Sequence, residues 1–124
     1  MKVLIVEDDA DMRRILMEVI ASANVEAEQA PDGETVIHML ESDYKPDLVL
    51  LDLHLPGVDG WEVFRLLREK TNSKIAVVTA DILAAPEFLK DADAVFTKPF
   101  SLVELLVKIN SMLGRGEKQE EKKI

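Results

Sequence analysis

The sequence predicts an α/β protein: a single doubly wound (βα)5 domain built on a five-stranded parallel sheet of order 2-1-3-4-5. Three observations lead there. Five short apolar runs alternate with five stretches of helical period along the chain. Three of the runs are too continuously apolar for a sheet with one wet face. And 124 residues, 48% of them hydrophobic, suffice for one core of one domain.

The first run spans 2–6 and runs into Glu7-Asp8-Asp9. Met12, Ile15, Leu16, Val19 and Ile20 follow at three- and four-residue steps, one face of a helix. The second run, 25–30, turns Glu26, Glu28 and Gln29 outward, as an edge strand does. A helix opening near Asp32-Gly33 carries Val36, Ile37 and Leu40. The third run, 47–51, is closed by Asp52 and followed by the breakers of His54-Leu55-Pro56-Gly57-Val58-Asp59-Gly60. The next helix starts at Asp59-Gly60 and carries Val63, Phe64, Leu66 and Leu67. After the fourth run, 74–79, the stretch 81–90 is the least helical of the five, and Pro86 leaves room for a short helix only. The fifth run is 93–97. Ser101 and Glu104 then form a capping-box pattern ahead of Leu102, Leu105, Leu106, Ile109 and Leu113 on one helix face. Runs one, three and four are the most apolar and belong at the centre, with the second at an edge, which is the order 2-1-3-4-5. Residues 1–113 are expected to form the domain. Residues 114–124, seven of the eleven charged, read as a flexible tail or a truncated linker, so the chain is expected to be either a stand-alone domain or the front of a larger protein.

Composition removes several classes of function. A net charge of −9 opposes direct nucleic-acid binding by this domain, which needs a Lys/Arg face. The absence of Cys rules out disulfides, thiolate catalysis and Cys-based metal sites. The N-terminal apolar run is broken by Glu7, too soon for a signal peptide, and no run approaches the ~20 apolar residues of a membrane span. No membrane partner is expected, and a cytoplasmic location is.

In open α/β sheets of this order, ligands bind beyond the carboxyl ends of the strands, at the switch point between strands 1 and 3. Those ends carry Glu7, Asp8 and Asp52. Two like charges at ~4 Å repel by about 4 kcal/mol at an effective dielectric of 20, so folding does not benefit from such a cluster. A divalent cation is the usual reason for one. The plainer reading is that Asp8 and Asp9 cap the first helix, and that Thr79 is an ordinary strand residue. His38 and His54 are expected to be exposed, and Trp61 to pack at the start of its helix.

Taken in order, the Glu7-Asp8 pair, Asp52 with Pro56-Gly57 and Asp59-Gly60 behind it, Thr79-Ala80, and Lys98-Pro99-Phe100 resemble the receiver domain of two-component response regulators, a flavodoxin-like fold. The resemblance covers residues 1–113 and implies a phosphorelay signalling module. In it, Asp52 is the phosphoacceptor, taking a phosphoryl group from a sensor histidine kinase or a histidine phosphotransfer protein. A carboxylate nucleophile is anionic at neutral pH without a general base. Mg²⁺ would be held by Glu7, Asp8, Asp52 and the backbone carbonyl of His54, an oxygen-only set that suits this ion. Lys98 and Thr79 would meet the phosphoryl oxygens, and the Lys98–Pro99 bond would be cis. The module is a switch, not an enzyme in the ordinary sense, although it assists its own phosphorylation and its slow autodephosphorylation, on which His54 and Asp81 bear. It acts on a downstream protein target or an output domain, and a phosphorylation-dependent dimer is compatible with the family.

Two departures stand out. The position three before the lysine, commonly aromatic in the family, is Val95, with Phe96 beside it on the opposite face of the strand. The interval from Thr79 to Lys98 is also about three residues short. These leave open a degenerate receiver acting as a scaffold. A Mg²⁺-dependent phosphohydrolase working through an aspartyl phosphate is a further alternative, but it would carry a second Asp where His54 stands.

Overall fold

The structure, a computed structural model, describes residues 1–80 and 90–114. The elements run β1 (Lys2–Val6), α1 (Ala10–Ser22), β2 (Glu26–Ala30), α2 (Gly33–Glu41), β3 (Leu48–Asp52), α3 (Gly60–Lys70), β4 (Lys74–Thr79), β5 (Ala94–Thr97) and α4 (Leu102–Met112). The strands form one sheet of order β2-β1-β3-β4-β5, every pair parallel. The predicted order is the observed one.

Alternation along the central strands divides the core between the two faces of this sheet. Leu4, Val6, Val49 and Leu51 point to one face, where Val36 of α2 and Val63, Phe64 and Leu67 of α3 cover them. Val3, Ile5, Leu48 and Leu50 point to the other, against Leu16 and Ile20 of α1 and Leu105 and Ile109 of α4. β3 is buried along its whole length, as a central parallel strand requires. β2 shows Glu26, Glu28 and Gln29 to solvent.

Each described helix starts on a side-chain cap. Asp9 accepts from the main-chain N–H of Asp11 and Met12, Asp32 from that of Thr35, Asp59 from that of Trp61, and Ser101 from that of Glu104. Trp61 packs edge-on against Phe64, ring centroids 5.9 Å apart.

The differences from expectation lie at element ends. Val25, Asp47 and Asp93 stand outside their strands, while Asp52 is the last residue of β3 rather than the residue after it. Leu102, expected on the buried face, is 40% exposed, because it opens α4 at the lip of a groove and has no preceding turn above it. The short helix expected around Pro86 and the charged tail 115–124 lie outside the described residues.

Candidate functional site

The parallel register brings the carboxyl ends of β1, β3, β4 and β5 to one edge. Val6 pairs with Leu51, Asp52 with Val78, and Thr79 with Thr97. The residues at or just past those ends are Glu7, Asp52, Thr79 and Lys98, so a single edge collects all four. Lys98 donates its main-chain N–H to the Thr79 carbonyl at 2.9 Å, continuing the β4–β5 ladder one step beyond the sheet. The Lys98–Pro99 bond is cis.

Lys98 Nζ lies 2.9 Å from Glu7 Oε1 and 3.0 Å from Asp52 Oδ2, bridging two carboxylates that are 2% and 4% exposed. The remaining oxygens are also engaged. Asp52 Oδ1 accepts from the His54 main-chain N–H at 2.9 Å, and Glu7 Oε2 from that of Asp9 at 3.2 Å. Burial pushes the Glu7 carboxyl up to about 7; the neighbouring Asp52 adds to this and the Lys98 ammonium opposes it. Burial acts to lower the Lys98 pKa, but its bonds to Glu7 and Asp52 outweigh that and hold it above the ordinary lysine value.

Glu7, Asp8 and Asp52 each offer a carboxylate oxygen, and those oxygens lie within 4.8 Å of one another. Three hard oxygen donors converging from two adjacent strand ends, with Asp8 exposed, make a site that a small divalent cation fits. Capping does not account for this group. Asp9 holds the N-terminus of α1, which leaves Asp8 for the edge. Thr79 is fully buried at the end of β4. His54 contributes its backbone at the edge and exposes its side chain, and His38 is exposed and pairs with Glu41 at 3.5 Å. Asp81 lies outside the described residues.

One contributor was not anticipated. Arg13, the fourth residue of α1, reaches back over the β1–α1 loop. Its Nη1 donates to the Glu7 carbonyl at 2.8 Å and lies 3.5 Å from that of Asp8, while its Nε donates to Gln29 Oε1 at 2.9 Å. The signal in the sequence was an arginine shortly after an acidic pair, which helical period alone reads as a solvated face. Phe96, beside Val95, packs on the α1/α4 face and lies 6.2 Å from the Phe100 ring, while Val95 pairs with Val77, whose side chain belongs to the α2/α3 face. The two side chains do not substitute for one another.

The profile of the response regulator receiver domain matches residues 3–110. Among curated proteins, the transcriptional activator IrlR of Burkholderia pseudomallei is 36% identical over 123 residues, 97% of this chain and 53% of that protein. The transcriptional regulatory protein ResD of Bacillus subtilis is 36% identical over 119 residues, 93% of this chain and 49% of that protein. The chain thus spans about half the length of these relatives. Among solved structures, the CheY-like receiver domain of Methanospirillum hungatei superposes with a TM-score of 0.82 at 25% identity, covering 95% of this chain and 97% of that one. The response regulator TrrA of Thermotoga maritima, solved with Mg²⁺ and beryllofluoride, gives 0.80 at 30% identity over 90% and 97% of the two chains. A sheet of this order, an acidic edge bridged by a lysine, and a profile match across nearly the whole domain agree: the chain belongs to the receiver domain family of two-component response regulators.

Proposed function

We propose that Asp52 accepts a phosphoryl group from a phosphohistidine and that the resulting aspartyl phosphate switches the domain. The observation that carries this reading is the Lys98 ammonium held between Asp52 and Glu7 at the end of the central strands. In the reaction an Asp52 carboxylate oxygen forms a bond to phosphorus as the phosphorus–nitrogen bond of the donor breaks. Lys98 lies within hydrogen-bond reach of the nucleophile and follows the charge onto a phosphoryl oxygen. The Thr79 hydroxyl, on the strand paired to Asp52, is the second donor for those oxygens. The His54 main-chain N–H restrains the Asp52 carboxylate, and its carbonyl, with Glu7, Asp8 and Asp52, would hold Mg²⁺. When bound, that ion offsets the repulsion between the anionic nucleophile and the incoming phosphoryl group.

The donor is a sensor histidine kinase or a histidine phosphotransfer protein, working in the cytoplasm. It would approach across the groove of about 380 Å³ beside Lys98, lined by Met12, Ile15, Pro99, Phe100 and Leu102. Residues 1–113 act as the switch, and residues 114–124 as tail or linker. The output is a protein target or a further domain. IrlR and ResD carry names of transcriptional regulators, and control of transcription through such an output, without contact between this acidic domain and nucleic acid, fits the charge of −9. Loss of the phosphoryl group by autodephosphorylation ends the signal.

The test is the intact mass after incubation with Mg²⁺ and acetyl phosphate. One phosphoryl increment is expected on the wild type, none on Asp52→Asn, and none after chelation. No increment on a folded wild type that also fails to bind beryllofluoride would replace this reading with that of a fixed scaffold.

A further inference from the structure

We infer that Arg13 is a positioning residue for the cation site: it holds the main chain of the β1–α1 loop so that the Glu7 and Asp8 carboxylates converge on Asp52. This rests on the metal-site reading above. The placement of Arg13 is the first clue. A guanidinium this near the start of a helix works against the helix dipole, so helix stability does not explain it. Its neighbour Arg14 pairs with Asp11 on the open surface, as such residues usually do. Arg13 does not. In a chain with 24 acidic residues, it forms no ion pair among the described residues and donates to carbonyl oxygens instead.

The two main-chain carbonyls belong to Glu7 and Asp8, whose side chains are two of the three carboxylates at the edge. Holding the Glu7 carbonyl at 2.8 Å and approaching that of Asp8 at 3.5 Å orients two successive peptide planes, and hence the directions in which both side chains leave the loop. From the other side, the Glu7 N–H is tied to the Ala30 carbonyl at 3.1 Å. Gln29, one residue earlier on β2, braces the guanidinium through Nε. The loop is thus gripped between α1 and the edge strand. The positive charge of Arg13 should by itself weaken cation binding, and its hydrogen bonds should strengthen it. The two effects have opposite signs, which makes the inference testable.

The experiment is a calorimetric titration of the full chain with Mg²⁺ at constant ionic strength, well below the melting temperature, with metal-free melting curves alongside. Arg13→Met keeps the apolar stem but removes charge and donors; it is expected to bind Mg²⁺ about 10-fold more weakly than wild type, the size usual for a partner one layer behind a metal ligand. Arg13→Lys, which keeps one donor group, should fall between. Gln29→Ala leaves the loop untouched and should show part of the loss, which decides the matter if Arg13→Met does not fold. Wild-type or tighter affinity in Arg13→Met, or in Gln29→Ala should that variant be the deciding one, overturns the inference; a lower metal-free melting temperature with unchanged affinity marks a merely structural role and does the same. Failure of the wild type to bind Mg²⁺ at all strikes the metal site itself and the inference with it.

Discussion

Lys98 and Glu7 share one small, largely buried space, and much of the behaviour of the site follows from that pair. Lys98 is the counterion of two buried carboxylates. Removing one partner of a buried pair leaves the other unpaired, at a cost of about 3–5 kcal/mol when fully buried. The Lys98 side chain is 25% exposed, so Lys98→Met should lower metal-free stability by less, about 1–3 kcal/mol, read from urea unfolding. The pH dependence has a definite sign. The Glu7 pKa is raised from 4.5 to about 7, so the folded state binds its proton more tightly than the unfolded chain does. That contribution is fully present below 4.5 and is lost as the pH rises through 7. Metal-free protein should therefore lose on the order of 2 kcal/mol between pH 5 and pH 8, and Glu7→Gln should flatten this slope. A metal-free stability that instead rose over that interval would contradict the raised Glu7 pKa.

At the level of elements, the loop between β3 and α3 determines where His54 sits beside Asp52. Gly57 turns the loop with φ at +73°, a conformation side-chain-bearing residues avoid. Gly60, the first residue of α3, lies against the backbone that follows Asp52. A Cβ there would stand 2.5 Å from both Cα and O of Leu53. The obstacle is main chain, which cannot rotate away, so Gly60→Ala must displace the loop. The expected cost is about 1–3 kcal/mol in stability. Because Leu53 lies between Asp52 and His54, weaker Mg²⁺ binding and slower phosphorylation by acetyl phosphate should accompany it. An unfolding midpoint and phosphorylation rate equal to wild type would show that the loop tolerates the shift. The pattern Asp59-Gly60 was legible as a helix start; that Gly60 is needed for the close approach to Leu53 was not, because the contact exists only once α3 folds back on the end of β3.

For the molecule as a whole, a net charge of −9 and three carboxylates with oxygens within 4.8 Å of one another set the terms on which a cation could bind. A cation that binds only the folded protein stabilises it by mass action, by about 2.7 kcal/mol at a hundredfold excess over its dissociation constant. Thermal unfolding should therefore shift upward with Mg²⁺, return on chelation, and respond little in Asp8→Asn. A shift of wild-type size in Asp8→Asn would remove Asp8 from the site. Among the described residues no helix is long and apolar enough to cross a membrane, consistent with the short apolar runs of the sequence.

The sequence by itself determined the sheet and its order. Apolar runs such as 48–51 demand burial on both faces, the acidic run of β2 demands an edge, and only a few topologies satisfy both demands. It also determined which polar residues meet at one edge of the sheet, because strand ends and their flanking breakers are local features, and Glu7, Asp52, Thr79 and Lys98 each occupy one. Element ends were less legible, as Val25, Asp47, Asp93 and the exposed Leu102 show, since fraying and groove edges depend on neighbours far along the chain. Tertiary structure alone decided the rest: that Asp9 caps α1 and so releases Asp8, that Lys98 bridges Glu7 and Asp52 across 91 and 46 residues of sequence, and that Arg13 turns back onto the acidic loop. The physical reason is common to all three. A charged side chain has many hydrogen-bond partners within reach in an extended sequence, and only the packed sheet and helices leave it with one set.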